Sequence, residues 1–299
     1  MTAPLRIIVC TKRDLAGSLI LNWLLPRLAD CTVMVLLSDK TRPVEKAVPE
    51  LAEMKFLERD LPVDTLFPLL DACGGGDDAP LATFDGVARR FGVPVKVVQK
   101  INDADGEALV RDFAPDVMIS ARFSLIFKAN VFDIPRFGTY NVHPGALPRY
   151  AGLFAPFRCL VDGGDEIGCT LHRVDAGIDT GPIVGIGWLP VDPARSLLWH
   201  VVNTYWGGLQ KFVDMLDGLR GGRTVVPLVA QDFSQRVYGS LPSHEQFDVF
   251  YAKGFRLFDP QEYNEILAGF LKAGAEMPVG LPGFAPAGEG GTPCCCARA

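Results

Sequence analysis

A doubly wound, mostly parallel α/β sheet with a small mixed C-terminal appendage is the fold that this sequence predicts. Three observations predict it. Short runs rich in β-branched residues alternate with apolar-periodic stretches of helical length. Several of these runs close on polar residues, and the alternation changes character beyond Gly222.

Arg6 to Cys10 is the first such run, followed by a polar turn, the periodic stretch Leu15 to Leu28 and a second run, Thr32 to Leu37. This is a β-α-β opening. Residues 40–80 are less regular: Lys/Glu-rich pieces and several prolines lead to Gly74-Gly75-Gly76-Asp77-Asp78, read as a loop or insertion. After it, Phe84 to Phe91 is helical, Val95 to Val98 a strand, Asp105 to Phe113 a helix and Asp116 to Ser120 a strand. Units of this length build a parallel sheet whose ligands sit beyond the carboxyl ends of the strands. Thr139 to Val142, Gly168 to Val174 and Ile183 to Leu189 read as further strands, and about Ala194 to Leu219 as a long helix. The appendage holds Val225 to Val229, Tyr238 to Leu241, the helical Glu245 to Phe250, and Glu262 to Leu271. The expected division is a catalytic domain over 1–220, a small subdomain over 221–277 and a disordered tail over 278–299.

Composition excludes several classes. Hydrophobic residues make up 48% and charged residues 21% of the 299, the balance of a folded protein. A formal charge of -6 disfavours a nucleic-acid partner. The eight cysteines have no C-x-x-C spacing, so no metal site is expected, and buried free thiols are the reading for all but the tail triplet Cys294 to Cys296. No signal peptide or membrane-length apolar stretch is present, so a cytoplasmic protein is expected. Thr11-Lys12-Arg13-Asp14-Leu15-Ala16-Gly17 stands where a dinucleotide fingerprint would follow the first strand, and there is no P-loop motif.

Chemistry concentrates in two stretches. In Phe137 to Gly152, Asn141 and His143 lie two apart on a strand and share a face at its exit, where Pro144 ends the ladder. In Cys169 to Ile183 a strand delivers a loop with the carboxylates Asp175 and Asp179, then a further strand. A carboxylate beside a histidine can set its tautomer or stabilise its charged form. Taken singly these residues have plainer readings: Asn141 as a turn-maker, His143 as a hydrogen-bonded structural histidine, Asp175 as a solvated loop charge. His172 reads as support near the site, His200 as core, His244 as a helix-start residue. Trp188, Trp199 and Trp206 read as core, with Trp206 a candidate for lining an acceptor pocket.

The two stretches together resemble the folate-dependent formyltransferases, a family that includes glycinamide ribonucleotide, methionyl-tRNA and amino-sugar N-formyltransferases. The matching motifs are N-x-H-P-[SG]-x-L-P-x-[YN]-x-G, here Asn141 to Gly152, and D-x-G-P-I, here Asp179 to Ile183. The resemblance runs from about Val95 to Trp188, and more thinly from Arg6. It implies a Rossmann-like catalytic domain in which Asn141 and His143 polarise a formyl oxygen and Asp179 supports the histidine. It implies that Phe123, Ser124, Leu125 and Ile126, facing Val174, Asp175, Ala176 and Gly177, hold the pterin of 10-formyltetrahydrofolate, with no metal. It also implies a cis peptide at Leu147-Pro148.

The expected acceptor is the primary amine or hydroxylamine of a small molecule, such as a nucleotide-linked amino sugar or a siderophore precursor, and a homodimer is compatible with the reading. Methionyl-tRNA formyltransferase is the alternative, weakened because seven Lys/Arg face eight Asp/Glu from Arg220 onward and because Lys40, Arg42 and Lys46 only thinly echo a basic insertion. A formyltetrahydrofolate hydrolase, with water replacing the amine, is the other. Those enzymes carry an N-terminal regulatory domain, whereas Arg6 here already opens the sheet.

Overall fold

The computed structural model describes residues 3–40, 47–72 and 78–272. In β1 (Arg6–Lys12), Ile7 to Cys10 are at most 1% exposed. Ile7 and Val9 enter one core while Ile8 and Cys10 enter another. A strand apolar on both faces must be covered by helices on both. β2 (Thr32–Ser38) repeats the division, with Val33, Val35 and Leu37 on the first side and Met34 and Leu36 on the second.

With β3 (Val95–Val98), β4 (Val117–Ala121) and β5 (Thr139–His143), these form a parallel set in the order β3-β2-β1-β4-β5. Beyond a short β6 (Ala151–Gly152), β7 (Glu166–Arg173) joins β5 in antiparallel sense, and β8 (Ile183–Pro190) pairs antiparallel with β7 at the sheet edge. The connection 174–182 is shorter than the roughly dozen residues a parallel crossover needs, so β7 and β8 close as a hairpin.

Helix α1 (Leu15–Leu24) starts at Asp14, whose Oδ1 accepts from Gly17 N at 2.8 Å. The stretch read as irregular is helical where described: α2 (Pro49–Lys55), two π turns (Phe56–Asp60 and Pro62–Leu66) and α3 (Phe67–Ala72). Pro62 has no N–H to give an α-helical ladder, and the widened turns around it carry the chain past that gap. Gly74 to Asp77, Arg42 and Lys46 lie outside the described residues, as do Cys73, Cys294 to Cys296 and the 278–299 tail.

The other helices are α4 (Phe84–Phe91), α5 (Ala104–Phe113), α6 (Ala129–Phe132), α7 (Ala155–Asp162) and the long α8 (Leu197–Arg220). α8 lies against the hairpin so closely that a Cβ on Gly187 would meet the Gly207 backbone at 2.4 Å, and one on Gly208 would meet Cys169 Sγ at 2.6 Å. Gly207 and Gly208 therefore serve this packing. Trp206 stacks on Trp23 and is not among the residues that line the cavity at the strand ends. Trp188, expected in the core, is 53% exposed, because β8 is an edge strand and its side chain points outward.

After α8, strand character among the described residues is reduced to a single bridge of Val229 with Ile183 and to β9 (Tyr238–Gly239), which pairs in parallel with β6. α9 (His244–Ala252) and α10 (Pro260–Ala268) send Phe247, Phe250, Tyr263 and Leu267 into the same core as Ile7. The rings of Phe247 and Phe250 lie 4.7 and 5.2 Å from that of Phe157 on α7. His200 is buried, with Nδ1 bonded to Ser196 O at 2.7 Å, and His244 opens α9 against Glu50 at 2.8 Å, both as expected. Cys10, Cys31, Cys159 and Cys169 are free, and burial pushes the Cys169 thiol up to about 12. Among the described residues no helix is long and apolar enough to cross a membrane, and no His/Cys/Asp/Glu group is disposed to hold a metal.

Candidate active site

The parallel strands end together and open a cavity of about 380 Å³ lined by Lys12, Arg122, Asn141, His143 and Asp179. Register places Asn141 beside Ser120 on β4 and His172 on β7, and His143 beside Thr170. Asn141 and His143, two apart on β5, thus share one wall with Asp179 from the β7–β8 connection.

The two histidines and Asp179 have defined partners. His143 Nε2 lies 2.6 Å from the Tyr150 carbonyl oxygen, which can only accept, so Nε2 carries the hydrogen. Nδ1 is left facing Asp179 Oδ1 at 3.7 Å. His172 is arranged in the opposite sense: Nδ1 donates to Arg173 O at 3.0 Å, leaving Nε2 to accept from Asn141 Nδ2 at 3.2 Å. Burial holds His172 below the ordinary histidine range, and the neighbouring Asp179 opposes that without reversing it. A neutral His172 is what this hydrogen bond requires, so His172 sets which end of the Asn141 amide points where. One amide N–H of Asn141 remains for a ligand.

Asp179 is held in a left-handed conformation, φ 54°. Its Oδ2 accepts from Gly152 N at 2.8 Å. Ala151 and Leu153 point their N–H groups at β9, so the alternation of the strand turns that of Gly152 towards Asp179. From behind, Gln231 Nε2 donates to Asp179 O at 3.0 Å and Gly181 O at 2.7 Å, and Arg236 donates to Ile178 O at 2.7 Å. The Tyr150 carbonyl, Gly152 and Gln231 have no role in the sequence reading. For Gly152 the signal was present, since a glycine closing the first motif implies a close backbone approach: φ is 88° and a Cβ would meet Gly239 O at 2.3 Å.

Of the residues expected to hold folate, Phe123, Ser124 and Ile126 line the cavity. Leu125 lines an adjoining groove with Lys100 and Asn102. On the facing loop the cavity is lined by Ile178, while Val174 packs against the second core and Asp175 accepts from Gly177 N and Thr180 Oγ1 within the loop. Val174, Asp175, Ala176 and Gly177 are not among the lining residues. Ile126 and Ile178 are 65% and 40% exposed, Phe123 stacks on Phe127 at 5.3 Å, and the buried Ser124 Oγ has no partner. Leu147-Pro148 is cis.

An amide, an imidazole and a carboxylate thus stand together in one cavity at the strand ends of an α/β sheet, a set of groups able to donate hydrogen bonds and exchange protons. Residues 90–197, which contain all three groups, match the family described as formyl transferase. A methionyl-tRNA formyltransferase of Chlamydia abortus is 41% identical over 101 residues, 34% of this chain and 32% of that one. Another, from Kosmotoga olearia, is 29% identical over 177 residues, 58% of this chain and 55% of that one. The chain thus spans between a third and about half of the length of these two relatives. A 4-N formyltransferase structure from Francisella tularensis shares the fold, with a TM-score of 0.55 at 14% identity over 84% of this chain and 88% of that one.

Proposed function

We propose that the protein transfers the formyl group of 10-formyltetrahydrofolate to the primary amine of a small molecule. The observation that carries this is the convergence of Asn141, His143 and Asp179 on one cavity wall beside an apolar shelf. The donor supplies an electrophilic formyl carbon whose oxygen gains charge under attack. The free N–H of Asn141 is positioned to stabilise that charge, and its orientation is already set by His172, so little reorganisation is needed. His143 exchanges a proton at Nδ1 only, because Nε2 is committed to Tyr150 O. Asp179, 3.7 Å away, stabilises the protonated ring, and that gap leaves room for proton exchange with the incoming amine.

The acceptor side is built by residues outside the family match: Lys12, Leu51, Met54, Lys55, Glu58 and Arg59. A cavity of about 380 Å³ supports a small acceptor. The printed function of the Chlamydia and Kosmotoga relatives supports the alternative, a methionyl-tRNA acceptor. Incubation with 10-formyltetrahydrofolate and a panel of amines, water alone and charged initiator tRNA, followed by tetrahydrofolate release and product mass, separates the readings. Formylation of the tRNA with no small amine accepted refutes the small-molecule reading, and release with water alone makes the protein a hydrolase. Activity unchanged in both Asn141→Ala and His143→Ala would overturn the site.

A further inference from the structure

We propose that Arg122 is a positioning residue that ties the acceptor wall to the donor shelf and so sets the affinity for the formyl donor; the inference rests on the folate reading above. Arg122 is the first residue after β4 and immediately precedes Phe123, Ser124 and Ile126, the shelf on which the donor would lie. Its backbone is left-handed, φ 66°, a conformation unfavourable for a residue with a Cβ and kept only where the surroundings hold it.

What holds it is visible. Arg122 Nε donates to Asp14 Oδ2 at 2.6 Å and its other edge lies 2.6 Å from Glu58 Oε1. Asp14 is fully buried at the start of α1 and Glu58 belongs to the first π turn. Two separate elements therefore converge on one planar, permanently charged group, which can bind several acceptors in fixed directions as a lysine cannot. Lys12 Nζ also stands 3.9 Å from Asp14, as a point charge without the guanidinium's second edge towards Glu58. Ser38 Oγ accepts from Ser124 N at 2.9 Å, a second tie on the same shelf that leaves Phe123 dependent on Arg122.

The two walls of the cavity are linked through this side chain, since Glu58 also lines the acceptor side. Loosening Arg122 lets Phe123 drift, which weakens donor binding, whereas Asn141, His143 and Asp179 keep their own anchors. The expected signature is a donor KM that rises while kcat at saturating donor is nearly kept.

The test compares wild type with Arg122→Ala, Arg122→Lys and Glu58→Gln, measuring binding of 5-formyltetrahydrofolate by intrinsic fluorescence and the KM and kcat for 10-formyltetrahydrofolate. In Arg122→Ala the dissociation constant is expected to rise about tenfold or more, with partial recovery on adding guanidinium ion; Arg122→Lys, lacking the fork, is expected to fall between. If Arg122→Ala does not fold, Arg122→Lys and Glu58→Gln decide, because both keep the space filled. Folded variants that bind 5-formyltetrahydrofolate within about twofold of wild type overturn the proposal, as does a loss confined to kcat. Absence of 5-formyltetrahydrofolate binding by the wild-type protein instead removes the folate reading itself.

Discussion

Asp179→Asn is the change that most directly examines the proposed chemistry. Asparagine tolerates the left-handed backbone at this position, and its side-chain oxygen can still accept from Gly152 N, so the loop keeps its course. What is removed is a charge 3.7 Å from His143 Nδ1. At an effective dielectric constant of about 20, that charge is worth about 4.5 kcal/mol to a protonated imidazole. Asp179 is 12% exposed, so solvent takes part of this, and a loss of about 2–4 kcal/mol remains. On the scale of about 1.36 kcal/mol per tenfold, kcat should fall by about 30- to 1,000-fold. Single-turnover tetrahydrofolate release gives the rate, with circular dichroism and thermal unfolding as controls for the fold. A variant within about threefold of wild type would refute the claim that Asp179 stabilises a charged His143.

Three further outcomes follow from the same geometry. Gly152→Ala forces a Cβ to 2.3 Å from Gly239 O at φ 88°, so urea unfolding should show a loss of about 2 kcal/mol or more together with lost activity; an unchanged midpoint would contradict the contact. Gln231→Leu removes both donations to the Asp179 loop and should cost about 1–3 kcal/mol and lower kcat, whereas a variant as active as wild type would show that the loop stands without them. His200 is held by burial below its ordinary value of 6.5, so as pH falls through 6.5 the unfolded chain binds a proton first and stability declines. His172 acts in the same sense and Glu58, raised by burial, in the opposite one, so the difference between wild type and His200→Gln isolates the residue. Wild type should lose more stability than the variant between about pH 7 and about pH 5.5, and parallel curves would exclude the effect.

How far the sequence disclosed the site depended on the kind of signal. Asn141 and His143 were readable because strand periodicity converts a spacing of two into a shared face, and the register of β5 bears this out. The partners that give those side chains their direction are backbone groups, Tyr150 O and Gly152 N, and no residue type announces a carbonyl. Strand direction was equally hidden, because alternation is the same in either sense; only the short 174–182 link pointed to the β7–β8 hairpin. The wall at Leu51 to Arg59 was unreadable for a different reason: π turns break the 3.6-residue rhythm by which a helix is recognised, and Pro62 suggests a stop where the helix continues. Trp188 shows the converse, an aromatic taken for core because nothing local says which strand is at the edge.

The cap of α1 also bears on which small molecules this sheet can accommodate. In open α/β folds the first helix offers its positive end to a phosphate, because unpaired N–H groups gather there. Here Asp14 supplies that anion from within the chain: its carboxylate is wholly buried, takes Gly17 N, and is itself bound by Arg122. An incoming phosphate would have to displace a covalently tethered competitor with its counter-cation already in place. The helix end is thus already occupied from within the chain, and Lys12 and Lys40 are further cations on the cavity wall.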